Sequence, residues 1–282
     1  MTNAPLPRVA AIHDLSGFGK CSLTVALPVL SACGIETCCL PTAILSTHTG
    51  GLTGYTYRDL TGDMRAFYQH WQSLELTFEA VYTGFLSSPE QIDIVREAAA
   101  TLKKPGAPVL VDPVMGDHGK LYRVFTPAMV DAMRALCQSA TVLVPNLTEA
   151  AFLLCEPLLS GPRDAADYEA LCRRLQALGP ERIVLTGVSL APELLGACCL
   201  DGREFSIHMT PRVPGAYHGT GDVYASVLLG ALLRGRTLAR ATALAADFTR
   251  ACIARTYARG TDPRYGVDFE TGLSGLRDFV GG

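Results

Sequence analysis

Short apolar runs recur along this 282-residue chain at residues 8–12, 35–40, 80–83, 109–111, 142–144 and 183–186, and between them lie stretches whose apolar residues fall three and four apart. Runs this short suit strands buried on both faces, and the intervening periodicity suits amphipathic helices. Regular alternation of the two predicts an α/β fold, a three-layer sandwich whose mostly parallel central sheet is covered by helices on both sides. Start signals support the helices. Thr61 precedes a stripe of Met64, Phe67, Trp71 and Leu74, and it is read as a cap. Ser88-Pro89 and Thr126-Pro127 each set a hydroxyl cap before a proline at the first helical position. Tyr168, Leu171, Cys172, Leu175 and Leu178 form a further stripe closed by Gly179.

The pattern changes after residue 190. Residues 194–200 and 204–209 flank Asp201-Gly202, a hairpin signal, so an antiparallel hairpin is predicted near the C-terminal end of the sheet. Helices over 222–234 and 238–256 follow, and the glycine-rich tail after Tyr257 is expected to be surface loop. With no repeat or linker, residues 1–282 read as one domain. A hydrophobic content of 49% supplies a sizeable core, and a net charge of −3 gives no footprint for nucleic acid or an anionic membrane. The apolar run 223–233 is too short to span a bilayer, which takes about 20 residues. The N-terminus has no basic segment leading into an apolar one, so a cytoplasmic location is expected. The ten cysteines include no Cys-x-x-Cys and the six histidines no His-x-x-x-His; buried, reduced thiols are expected, and a zinc site is not.

Five segments carry candidate chemistry. Gly219-Thr220-Gly221-Asp222 opens the helix at 222. Glycines there let backbone amides converge on an anion, aided by the helix dipole. Asp222 would repel that anion unless it acts as a base beside a transferred group; taken alone, the tetrapeptide is equally consistent with a helix cap. Asp112-Pro113-Val114-Met115-Gly116-Asp117 follows a strand, where α/β sheets bind ligands, and is also a good turn former. Asn146 and Glu149 stand three apart at a helix start, a spacing that suits a capping box and equally a carboxylate holding hydrated Mg²⁺. The stretch from His13 to Ser22 looks superficially like a phosphate loop. Its spacing fails, since Asp14 stands where the first glycine belongs and Cys21 where Ser or Thr belongs. A dinucleotide fingerprint fails as well, because position 22 is serine. What remains is a pocket-lining loop with Asp14 and Ser16 as polar groups. Finally, Ser46-Thr47-His48-Thr49-Gly50-Gly51 is a polar patch in which His48, set among hydroxyls and glycines, is a candidate ligand contact.

Together these segments resemble the ribokinase-like superfamily, in its pyridoxal/pyridoxamine kinase branch, in the right order from about Val9 to Thr256. The resemblance implies ATP as phosphoryl donor, Mg²⁺ (often with K⁺), a vitamin B6 vitamer as acceptor and commonly a homodimer. It implies that Asp222 is the catalytic base and that Gly219, Thr220 and Gly221 form the anion hole. Asp14, Ser16, His48 and Thr49 would face the substrate. Asp112, Asn146, Glu149, Thr186, Gly187, Arg212 and Val213 would face the nucleotide, with Glu149 and Asp112 at the metal. Two departures bear on the acceptor. Asp14 stands where pyridoxal kinases usually carry serine, as in hydroxymethylpyrimidine kinases, and the lid region 117–125 is short. A carboxylate at position 14 would favour pyridoxamine at least as much as pyridoxal. The competing readings are a hydroxymethylpyrimidine kinase of thiamin synthesis, a non-catalytic B6- or nucleotide-binding protein, and, with its glycine fingerprint missing, an NAD-dependent oxidoreductase.

Overall fold

The computed structural model describes residues 5–158 and 163–281. Within them the chain forms a nine-stranded sheet with helices on both faces. In chain order the elements run β1 (Arg8–Phe18), α1 (Leu23–Ala32), β2 (Glu36–Thr47), β3 (Tyr57–Asp59), α2 (Thr61–Ser73), β4 (Ala80–Thr83), α3 (Pro89–Leu102) and β5 (Val109–Val111). A two-stranded ribbon, β6 (Gly116–Asp117) and β7 (Lys120–Leu121), stands apart from the main sheet. Then come α4 (Pro127–Cys137), β8 (Val142–Leu143), α5 (Leu147–Leu154), α6 (Ala165–Gln176), β9 (Arg182–Val188), β10 (Leu194–Asp201), β11 (Glu204–Pro211), α7 (Thr220–Leu233), α8 (Leu238–Arg259) and α9 (Leu276–Gly281). The strand order is β11-β10-β9-β8-β5-β4-β1-β2-β3. Strands β2, β1, β4, β5, β8 and β9 are parallel, and β3, β10 and the β10–β11 hairpin supply the antiparallel pairings.

The chain winds outward from β1 in both directions, to β2 on one side and to β4 and β5 on the other. Ligands of open α/β sheets bind at the carboxyl edge of such a reversal. One face of the sheet buries Ile12, Val81, Val111, Leu143 and Leu185 under α2 to α6; the other buries Val9, Tyr82, Leu110 and Val184 under α1, α7, α8 and α9. Helix α7 is buried at every position from Val223 to Ala231, which explains why its sequence is a continuous apolar run instead of a stripe.

Several expectations shift in detail. Strand β1 continues six residues past the end of its apolar run. It pairs with an equally extended β2 across a register slip between His13 and Leu15. In α2 the buried positions are Met64 and Tyr68, while Phe67 and Leu74 are exposed. Thr61 is the first helical residue and not the cap; its amide donates to Asp59 Oδ1 at 2.8 Å. The tail is not loose surface: Val267, Phe269, Leu276 and Val280 pack under α1, α7 and α8. Leu276 is fully buried, so Leu276→Ala is expected to cost about 2–5 kcal/mol, read as a lower urea midpoint at unchanged slope. All ten cysteines are free, and no helix among the described residues is long and apolar enough to cross a membrane.

Candidate active site at the carboxyl edge of the sheet

The segments singled out in the sequence reach one edge of the sheet. Asp14 lies on β1, His48 and Thr49 follow β2, Asp112 follows β5, Asn146 follows β8, Thr186 and Gly187 end β9, and Arg212 and Val213 follow β11. Helix α7 points its N-terminus at the same edge. Its first-turn amides lack intrahelical partners, so they offer N–H groups and the positive end of the dipole.

Gly219 forms the turn into α7 in the left-handed region, at φ 72°. A Cβ on it would stand 1.8 Å from the carbonyl oxygen of Lys20, so the α7 N-terminus can lie against the β1–α1 loop only with glycine here. Facing that N-terminus, Asp112 Oδ2 lies 3.8 Å from where a Cβ of Gly221 would be. Thr220 spends its hydroxyl on the carbonyl of Tyr217, at 3.4 Å.

The carboxylates at this edge repel one another. Burial, then the charges of Glu149 and Asp222, push the Asp112 carboxyl well above its ordinary range. Burial also raises Glu149, opposed by backbone amides and reinforced by the charge of Asp117. Asp222 is partly exposed, yet its surroundings raise it to about 7: burial is the main cause, the Ser22 amide works against it, and the charge of Asp14 adds to it. A base that titrates near neutrality can accept a proton at physiological pH and release it afterwards.

The two carboxylates assigned to a metal differ in availability. Glu149 completes a capping box with Asn146: its Oε2 accepts from the Asn146 amide at 2.9 Å, and its Oε1 accepts from the Met115 amide at 3.2 Å. The Asn146 side chain in turn donates to the Gly116 carbonyl at 2.9 Å, tying α5 to the ribbon. Both Glu149 oxygens thus accept backbone amides, so capping is the role the geometry shows. Asp112 is 8% exposed, and among the described residues its carboxylate has no hydrogen-bond partner. No cluster of three direct metal ligands occurs among the described residues. One open carboxylate, repelled by two others, fits a hydrated Mg²⁺ that takes its remaining ligands from water and phosphate.

The candidate substrate side is divided. Asp14 accepts the hydroxyl of Ser16 at 2.9 Å on one oxygen and that of Ser22 at 2.5 Å on the other. Asp14 and Ser16 are nearly or fully buried, so both first serve the internal structure of the loop. Ser22 sits at the strained backbone position φ 52°, ψ −131°, and joins Asp14 through its hydroxyl to Asp222 through its amide. His48 offers no free nitrogen. Its Nδ1 accepts from the Gly50 amide at 3.0 Å, and its Nε2 must donate to the Arg264 carbonyl at 2.6 Å, fixing the neutral Nε2–H tautomer. Its work is therefore to shape the loop. Thr49 does line an open cleft, together with Tyr55, Tyr57, Phe85 and Val124. Lys20, the residue that suggested a phosphate loop, pairs with Glu270 at 2.8 Å and faces the tail.

On the nucleotide side, the Thr186 amide donates to Pro145 O at 2.9 Å, bringing the end of β9 against the start of α5. Gly187 is left-handed, at φ 74°. Arg212 directs its guanidinium to the backbone carbonyls of Pro192 and Leu194, bracing the β10–β11 end. Three residues at this edge were not found from sequence. They are Ser22, His218, and Tyr122, whose pKa is raised by burial and by the charges of Glu149, Asp117, Asp112 and Asp222. None has a motif of its own; only the folded chain brings them here.

The phosphomethylpyrimidine kinase family model matches residues 27–265. A Bacteroides thetaiotaomicron protein, provisionally assigned as a phosphomethylpyrimidine kinase and crystallised with pyridoxal, is 37% identical, with a TM-score of 0.92 over 96% of each chain. The pyridoxine/pyridoxal/pyridoxamine kinase of Bordetella avium is 30% identical over 83% of this chain and 80% of its own length. The hydroxymethylpyrimidine/phosphomethylpyrimidine kinase of Mycobacterium tuberculosis is 28% identical over 90% of both. The match spans α7 and every strand of the sheet except β1, and the chain belongs to the phosphomethylpyrimidine kinase family, in the ribokinase-like superfamily to which the pyridoxal kinases also belong.

Proposed function

We propose that this protein transfers the γ-phosphoryl group of ATP to the hydroxymethyl group of a small heteroaromatic alcohol, and that the acceptor is a vitamin B6 vitamer phosphorylated at its 5′-hydroxymethyl group. The observation that carries the reading is the α7 N-terminus, where Asp222 with its near-neutral pKa shares one helical turn with the free amides behind Gly219. Asp222 takes the hydroxyl proton as the oxygen attacks phosphorus. The amides of Gly219, Thr220 and Gly221 stabilise the charge spread over the moving phosphoryl group. Mg²⁺, when bound, neutralises charge across the phosphates, and Asp112 with Glu149 would hold it. Asn146, Thr186, Gly187, Arg212 and Val213 flank the nucleotide, and the cleft beside Thr49 receives the ring.

A B6 acceptor is supported by the pyridoxal found in the 37%-identical relative. Phosphorylation of hydroxymethylpyrimidine is the second reading, favoured by Asp14 and by the family that the chain matches. A steady-state assay of ADP formation with pyridoxal, pyridoxamine, pyridoxine and hydroxymethylpyrimidine separates them. We expect at least one vitamer to exceed hydroxymethylpyrimidine by about tenfold or more in kcat/KM, the low end of what a pocket fitted to one small ligand achieves against a near-isostere. The reverse order selects the second reading, and no acceptor-dependent ADP selects a binding protein. The pyridoxamine-to-pyridoxal ratio in the same assay reads whether Asp14, shared between two serine hydroxyls, still favours an amine.

A further inference from the structure

His218 immediately precedes Gly219, and among the described residues neither of its ring nitrogens has a hydrogen-bond partner. The ring is half-buried and lies against the backbone of Gly50: a Cβ there would stand 2.4 Å from His218 Nδ1. A Cβ on Gly51 would only touch the ring, with His218 Nε2 at 3.8 Å. Gly50 thus makes space for this imidazole between the loop after β2 and the start of α7. Its neighbours are held in place. His48, whose ring centroid is 5.1 Å away, is clamped by backbone on both nitrogens, and Arg264 pairs with Asp262 at 2.6 Å. The His218 amide donates to the Pro263 carbonyl at 3.4 Å, so the backbone on one side of the ring is anchored as well. The result is a half-buried imidazole with two unspent polar atoms, four residues before the proposed base.

We infer that His218 is a specificity-determining residue, hydrogen-bonding a polar substituent on the acceptor ring next to the hydroxymethyl group that is phosphorylated. The inference rests on the proposed function and adds to it the part of the acceptor that is read. Proximity supports it, since His218 immediately precedes the turn that carries the chain into α7 and lies against Gly50, next to Thr49 of the open cleft. So does chemistry. Burial lowers the His218 pKa, so the ring is held neutral, with one donor and one acceptor nitrogen. That pair can match a hydroxyl, an amine or an aldehyde, the groups by which related heteroaromatic alcohols differ.

Equilibrium binding tests this without requiring turnover. Pyridoxine carries a polar substituent beside the reactive hydroxymethyl group, and 3-pyridinemethanol carries none. Titration calorimetry on wild type, His218→Val and His218→Gln would give Kd for each alcohol and for a non-hydrolysable ATP analogue. We expect His218→Val to weaken pyridoxine about tenfold, the scale of one lost hydrogen bond to a neutral group. The affinities for 3-pyridinemethanol and the ATP analogue should stay within about twofold, and His218→Gln, which keeps a donor and an acceptor, should recover most of the loss. Retained binding of the ATP analogue reports that the variant is folded. Equal weakening of the two alcohols, or no change for either, overturns the inference. Should wild type bind pyridoxine selectively but form no ADP, the kinase reading fails while the role of His218 stands.

Discussion

Asp222→Asn is expected to lower turnover by about 10²–10⁴-fold while leaving ATP affinity within a few-fold. Asparagine keeps the shape and the interaction with the Ser22 amide but cannot take a proton, so the loss falls on kcat. The raised pKa adds two signatures. Wild-type activity should fall as the pH drops below about 7, because the base must be ionised to act. In stability the sign is reversed. Between the ordinary carboxyl value of 3.8 and about 7, the folded state binds a proton that the unfolded state has released, so Asp222 lowers stability as the pH rises through this window. The unliganded asparagine variant should therefore be more stable than wild type at pH 8, by something of order 1–3 kcal/mol once partial exposure is discounted, and the two should converge near pH 4. Denaturant titrations at the two pH values, beside the rate measurement, check both signs. A disabled enzyme that gains stability is what a functional carboxylate held against its solvation predicts.

Gly219→Ala should be nearly as damaging for a different reason. The added Cβ would meet the Lys20 carbonyl at 1.8 Å, and that obstacle is backbone, which no side-chain rotation relieves. The left-handed φ of 72° adds about 1 kcal/mol or more for any residue with a Cβ. Either α7 withdraws from the β1–α1 loop or the turn changes conformation, and in both cases the amides no longer converge where the phosphoryl group passes. Loss of oxyanion-type donors costs about 10²–10³-fold in kcat, so a fall of at least that size is expected, with a stability loss of about 1–3 kcal/mol. Steady-state kinetics and a thermal melt on one preparation check it. Activity within a few-fold of wild type would mean that this turn is not part of the phosphoryl site.

The chain's plan was legible where local chemistry and tertiary packing agree. The limits of β4 and β5 coincide with their apolar runs because each run is buried at every position and ends at a turn former, Gly84 or Asp112-Pro113. Ser88 and Thr126 cap α3 and α4 as their hydroxyl–proline pairs predict, and Asp201-Gly202 turns β10 into β11. The extension of β1 past Ile12 was not legible. Its residues mix polar side chains and glycine with the exposed Leu15 and Phe18, and they become strand only because β2 continues beside them. Strand β3 is three exposed residues with no pattern, and the tail's apolar residues are too widely spaced to show that they share one core. The same division holds at the site. Residues in compact motifs, such as Asp222 and Glu149, could be singled out from spacing, which left a cap and a functional role equally open. Whether a side chain is free could not, since only coordinates show that His48 and Asp14 are already engaged and that His218 is not.

The central claim is that an acceptor hydroxyl lies beside Asp222 at the mouth of the α7 amides. A crystal structure with pyridoxine, Mg²⁺ and a non-hydrolysable ATP analogue measures this directly. The account predicts the 5′-hydroxyl oxygen within hydrogen-bond reach of an Asp222 carboxylate oxygen, roughly 2.6–3.2 Å, with the terminal phosphate against the amides of residues 219–221. A vitamer whose hydroxymethyl group points away from Asp222, or a terminal phosphate bound elsewhere on the sheet edge, would contradict it.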